Sequence, residues 1–116
     1  MMRHLYVNFS DNQIKSNAIL MHNEIHKLLL HKDNNVPEVI FDSEDDYKNY
    51  FLNLMLRYGG LNELLGCPTK MVALLSTLQA AFCEVTSNDY DYSIYRKLIL
   101  DAHGYVKSMF EEEVVD

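Results

Sequence analysis

His22 and His26 stand four residues apart, with His31 five further on, so one helical face could present two imidazoles to a shared metal. Glu24 falls between them, out of His-Glu-x-x-His order, and two ligands do not close a zinc site. The expectation is solvent-facing histidines and no metal. Cys67 and Cys83 are the only cysteines; they form no Cys-x-x-Cys pair and match no zinc spacing. Both stand where apolar residues are expected, which reads as buried free thiols in a reducing compartment. Gly59-Gly60 and Gly66 match no phosphate-binding fingerprint, and there is no Gly-x-Ser-x-Gly elbow. No spacing singles out an acid–base pair. The sequence predicts neither an enzyme nor a cofactor.

The remaining chemistry is that of binding. Asp42-Ser43-Glu44-Asp45-Asp46, Asn88-Asp89-Tyr90-Asp91-Tyr92 and Glu111-Glu112-Glu113 carry much of the negative charge. A Tyr ring buries area at low entropic cost, and a neighbouring acid selects a basic partner. Asp89, Tyr90, Asp91 and Tyr92, with Glu44, Asp45 and Asp46, are therefore the candidate partner-binding residues. Capping accounts for most of the Asp42–Asp46 run, since acids suit the positive end of a helix.

The chain has 116 residues, enough for one domain with its own core, and 48% are hydrophobic, so it is expected to fold. Its formal net charge is −7, with Lys and Arg numbering 10 and scattered. Such a chain is repelled by phosphate backbones unless its cations cluster. The N-terminus shows no apolar signal region, and no apolar run approaches the ~20 residues of a membrane span. A single cytoplasmic domain over residues 1–116 is the expectation, without membrane contact.

Several elements must position these groups. Leu5 to Phe9 alternates weakly and could pair with Val39-Ile40-Phe41 as a minor β element. Ser10 and Gln13 resemble a capping box, and Ile14, Ala18, Met21, Ile25 and Leu28 then mark a helical stripe ending near Lys32. Ser43 caps a second helix bearing Tyr47, Tyr50, Phe51, Leu54, Met55 and Tyr58, which Gly59-Gly60 is expected to stop. Leu61–Leu65 forms a short helix. Gly66-Cys67-Pro68 turns the chain, with Gly66 left-handed and Pro68 at the first helical position. A third long helix runs to about Val85, apolar on most sides and so expected at the centre of the domain. Asp91 or Ser93 caps a helix that stops at Gly104, and a last helix spans roughly residues 105–113.

Leu65, Gly66, Cys67 and Val72, supported by Leu61 and Leu75, occupy the positions that shape a helix-turn-helix turn. Residues 61–78 thus resemble helix-turn-helix motifs of phage and plasmid regulators. More loosely, residues 50–104 are similar to winged-helix domains of phage and plasmid replication initiators. The resemblance implies a DNA-binding regulator with Thr69, Lys70, Ala73, Ser76 and Thr77 facing the groove. Asn62 departs from the small residue the motif prefers, and Lys70 is the only charge on the outward side of that helix. Groove readers bring several cations to phosphates.

The sequence therefore predicts an all-α or nearly all-α bundle of four to six helices with a helix-turn-helix-like centre and a minor N-terminal β element. The leading expectation for function is a small acidic, non-enzymatic interaction module that regulates or inhibits a larger machine, of phage or mobile-element type. Its partner would be a protein with a basic surface. The alternatives are the helix-turn-helix regulator and a structural or assembly-chaperone subunit that completes its apolar stripes by homo-oligomerisation.

Overall fold

The computed structural model describes residues 11–115, with side chains from Ser16 to Ser108. Four helices fill this span: α1 (Asp11–Lys32), α2 (Glu44–Leu64), α3 (Thr69–Val85) and α4 (Tyr92–Val115). There is no strand among the described residues. Val39, Ile40 and Phe41 lie in the irregular link between α1 and α2, and the expected partner strand, Leu5–Phe9, falls outside the described residues.

Successive helices run antiparallel. His31 near the end of α1 stacks on Tyr47 at the start of α2, whereas the Met21 carbonyl takes a hydrogen bond from Tyr58 near the end of α2. Lys70 at the start of α3 reaches Ser108 on α4, and Tyr95 at the start of α4 reaches Leu28 on α1. The result is an up-down-up-down bundle in which α4 lies between α1 and α3. Its backbone comes close to both, meeting them through small buried residues such as Ala81 and Ala102. Helix α2 stands further off, because it turns the rings of Tyr47, Phe51 and Tyr58 inward.

The stripes seen in the sequence form the core. Met21, Ile25 and Leu28 of α1, Met71, Leu74 and Leu78 of α3, and Tyr95, Ile99 and Ala102 of α4 are all buried. Three expectations need correction. Gly59-Gly60 does not stop α2, and Gly104 does not stop α4: each expected pair of helices is one continuous helix. A Gly in a helix interior costs about 1 kcal/mol relative to Ala. Tyr58 and Leu65 on either side of the first pair, and Ala102 and Val106 around Gly104, bury enough apolar surface to carry the helix through. Helix α3 is also not central. It leaves Val72 44% exposed and Ser76, Gln79 and Ala80 on the surface; α4 holds the middle position. Finally, Cys67 and Cys83 are exposed thiols rather than buried ones. Cys67 sits at the tip of a turn, and Cys83 points away from the Met71–Leu74–Leu78–Ala81 face.

The α2–α3 turn is held by Gly66 N–H to the Glu63 carbonyl at 3.1 Å and Cys67 N–H to the Asn62 carbonyl at 2.8 Å. Gly66 has φ 81°, the left-handed conformation expected of it, and Cys67 follows with φ 58°. Pro68 serves as N-cap of α3, one residue earlier than expected, with φ −59° and ψ 144°.

Candidate functional site

The two acidic stretches, far apart in sequence, meet at one end of the bundle. The first enters through the cap of α2, where Ser43 Oγ accepts from Asp46 N–H at 3.1 Å. Glu44, Asp45 and Asp46 then crowd the first turn, complementing the helix dipole. The second lies in the α3–α4 link. There Asp91 caps α4, its Oδ1 accepting from Ser93 N–H at 2.8 Å, while its own N–H donates to Glu84 Oε2 at 2.9 Å. Asp89 N–H donates to Ser87 Oγ at 3.0 Å, and the Asp89 carboxylate stays exposed.

Lys32 joins the two stretches. Its ammonium donates to Glu44 Oε2 at 2.9 Å and lies 5.1 Å from the Tyr47 ring centroid and 5.9 Å from that of Tyr90. His31 Nε2 meets the other oxygen, Glu44 Oε1, at 2.7 Å. The hydrogen bond from Lys32 is the main cause that holds the Glu44 carboxyl below its usual range, with His31 adding to it and burial opposing it. Glu44 is thus engaged within the fold. Asp45, Asp46 and Asp89 are exposed carboxylates at the same end, without side-chain partners among the described residues.

Tyr90 and Tyr92 are half-buried rather than exposed. The Tyr90 ring meets Tyr95 edge-on at 6.0 Å, and burial first, then the surrounding negative groups, pushes its hydroxyl up to about 12. Its hydroxyl oxygen has no hydrogen-bond partner among the described residues. Burial raises Tyr92 too. Behind them Tyr47 and Tyr95 share a 2.7 Å hydrogen bond, and Tyr95 Oη donates to the Leu28 carbonyl at 2.7 Å. The end of the bundle is therefore a rigid aromatic floor carrying free carboxylates. Such a surface can hold a guanidinium or ammonium group by charge, with the ring edges of Tyr90 and Tyr92 beside it.

The groove-facing set of the resemblance is split by the fold. Thr69 and Ser76 are exposed, whereas Lys70, Ala73 and Thr77 are half-buried. Lys70 does not point outward: its ammonium donates to Ser108 Oγ on α4 at 2.7 Å. The single positive charge on that helix is engaged in holding α3 to α4.

The histidines, too, are arranged differently from the expectation. His31 packs inward against Tyr47, with ring centroids 4.4 Å apart. His22 remains exposed, but it stacks on His103 of α4 at 4.3 Å, with His26 5.6 Å from the same ring. Burial, followed by the two neighbouring imidazoles, pushes His103 down to about 4. Among the described residues no group of three His, Cys, Asp or Glu side chains is placed to hold a metal ion. His103 escaped the sequence reading because Gly104 masked the helical register that turns it toward α1. A second cluster also went unseen: Glu24 on α1 accepts from Arg57 and from Tyr58 Oη at 3.0 Å, tying α1 to α2.

No helix among the described residues is long and apolar enough to cross a membrane. No protein-family model matches this chain, and no significantly similar curated protein or solved structure was found.

Proposed function

We propose that this chain is a small acidic, non-enzymatic interaction module that binds a basic surface on a larger protein machine and thereby regulates or inhibits it. The observation that carries the reading is the convergence of Asp45, Asp46 and Asp89 at one end of the bundle, across the Lys32 bridge between Glu44 and Tyr90. Like charges gathered on a fixed floor are costly to keep together. A basic partner relieves that repulsion, so the arrangement favours binding even though each rim acid contributes modestly by itself. The net charge of −7 acts in the same direction, steering a cationic partner and repelling duplex DNA. The engagement of Lys70 with Ser108 weighs further against the groove-reading alternative, since it leaves the outward side of α3 without a charge it can offer.

Affinity purification from the native host, with protein and nucleic acid both analysed, tests the reading. The expected result is a basic protein that elutes as salt rises and is absent when Asp45, Asp46 and Asp89 are all changed to Asn. Recovery of a specific duplex, lost in Lys70→Glu, would replace this reading with the DNA-binding one.

A further inference from the structure

Helix α2 carries a second surface, turned away from the core. Leu52 is 43% and Leu56 73% exposed on this side. Gly59, Gly60 and Glu63 continue it, with Lys48 at its other end. The two glycines are unexplained by the fold of a single chain. A Cβ added at either would meet nothing within 4 Å, so no packing within the chain requires a bare backbone there. Both nonetheless weaken the helix they interrupt. Glycine on an exposed helical face is what lets another backbone or a large side chain approach closely.

We infer that this face of α2 docks on the same face of a second copy, the two helices antiparallel about a two-fold axis near Leu56. Three features select that occupant and orientation. Counting outward from Leu56, Leu52 of one chain falls opposite Gly60 of the other, so a protruding side chain meets a bare backbone twice. The same register brings Lys48 to the level of Glu63 in the other copy; both are exposed, and neither side chain has a partner among the described residues. A parallel pairing would set the two Glu44–Asp46 clusters side by side, whereas the antiparallel one sends them to opposite ends. The inference does not rest on what the acidic end binds.

Sedimentation of the full chain over a range of concentrations tests this, with Cys67→Ser and Cys83→Ser present so that the exposed thiols cannot cross-link. A reversible dimer is expected. Leu56→Glu should abolish it, and Gly60→Leu should do so by filling the hollow, each with an unchanged helical circular dichroism spectrum. Lys48→Glu should weaken the dimer at least about tenfold. Lys48→Glu combined with Glu63→Lys should restore it. A disulfide formed by Leu56→Cys in that background would place residue 56 against its symmetry mate. A protein that is monomeric at its highest soluble concentration overturns the inference, as does a dimer indifferent to Gly60→Leu. A monomer in which Leu56→Cys is nevertheless protected from alkylation would mean that the chain covers this face itself, and it too would overturn the proposal.

Discussion

Tyr47 donates its phenolic hydrogen to Tyr95, 2.7 Å away, inside the bundle. Tyr95 has one hydrogen to give, and it goes to the Leu28 carbonyl, which can only accept, so the direction of the chain is fixed. Both rings are fully buried, and burial raises both hydroxyls well above the ordinary tyrosine range. This relay links α2 to α4 and α4 to α1 directly beneath the acidic end. The two tyrosines should therefore be unequal. Tyr95→Phe leaves the Tyr47 hydroxyl without an acceptor in an apolar setting and should cost about 2 kcal/mol. Tyr47→Phe leaves the Tyr95 bond to Leu28 intact and should cost about 1 kcal/mol or less. Urea unfolding of the two variants and their double mutant checks the order.

The turn between α2 and α3 carries two consecutive positive-φ residues, only one of which is glycine. Gly66→Val should destabilise by more than about 1 kcal/mol, since a branched residue resists φ 81°. Cys67→Gly should do the reverse. It relieves a non-glycine residue at φ 58° and gives up only a long 3.6 Å contact from Asn62 to the thiol. A stabilisation of up to about 1 kcal/mol is expected, read as a raised Tm.

The stacked imidazoles make stability depend on pH. His103 is held near 4 in the folded chain, below its ordinary 6.5, so the unfolded chain binds more protons between those values. Stability is then complete above about pH 6.5 and falls as pH drops towards 4. The ring is only half-buried, so solvent screening reduces the effect to on the order of 1–2 kcal/mol. His103→Phe should flatten the dependence of Tm on pH across that window. A dependence as steep as that of the unmutated chain would assign it to another group.

Gly59→Ala and Gly60→Ala should each raise the stability of the single chain by about 1 kcal/mol, because the added methyl meets nothing and the helix gains propensity. Denaturation at low protein concentration measures this apart from any effect on self-association.

The core was legible in the sequence because helical spacing reports burial directly. The Met21–Ile25–Leu28 and Met71–Leu74–Leu78 rows are buried as their periodicity implies. Gly59-Gly60 and Gly104 misled because local propensity, about 1 kcal/mol per residue, is outweighed by the buried residues on either side. Once those helices are continuous, residues read as belonging to separate elements share a surface: His103 reaches His22, and Leu52 and Leu56 align with Gly60. The acidic residues were visible individually. Their meeting at one end depends on Lys32 lying between Glu44 and Tyr90, a tertiary relation that no local pattern encodes. Tyr90 and Tyr92 sit in a polar loop, a setting that suggests exposed rings, but the edge of Tyr95 draws Tyr90 inward.

The central claim is that the free carboxylates at this end recruit a basic protein. It is tested most directly by the association rate of the purified chain with its captured partner, measured against ionic strength for the unmutated protein and for Asp45→Asn with Asp46→Asn and Asp89→Asn. The account predicts fast association at low salt that slows steeply as salt rises. In the neutralised protein association should be slower, less dependent on salt, and accompanied by an unchanged Tm. Identical rates and salt dependence for the two proteins would contradict it.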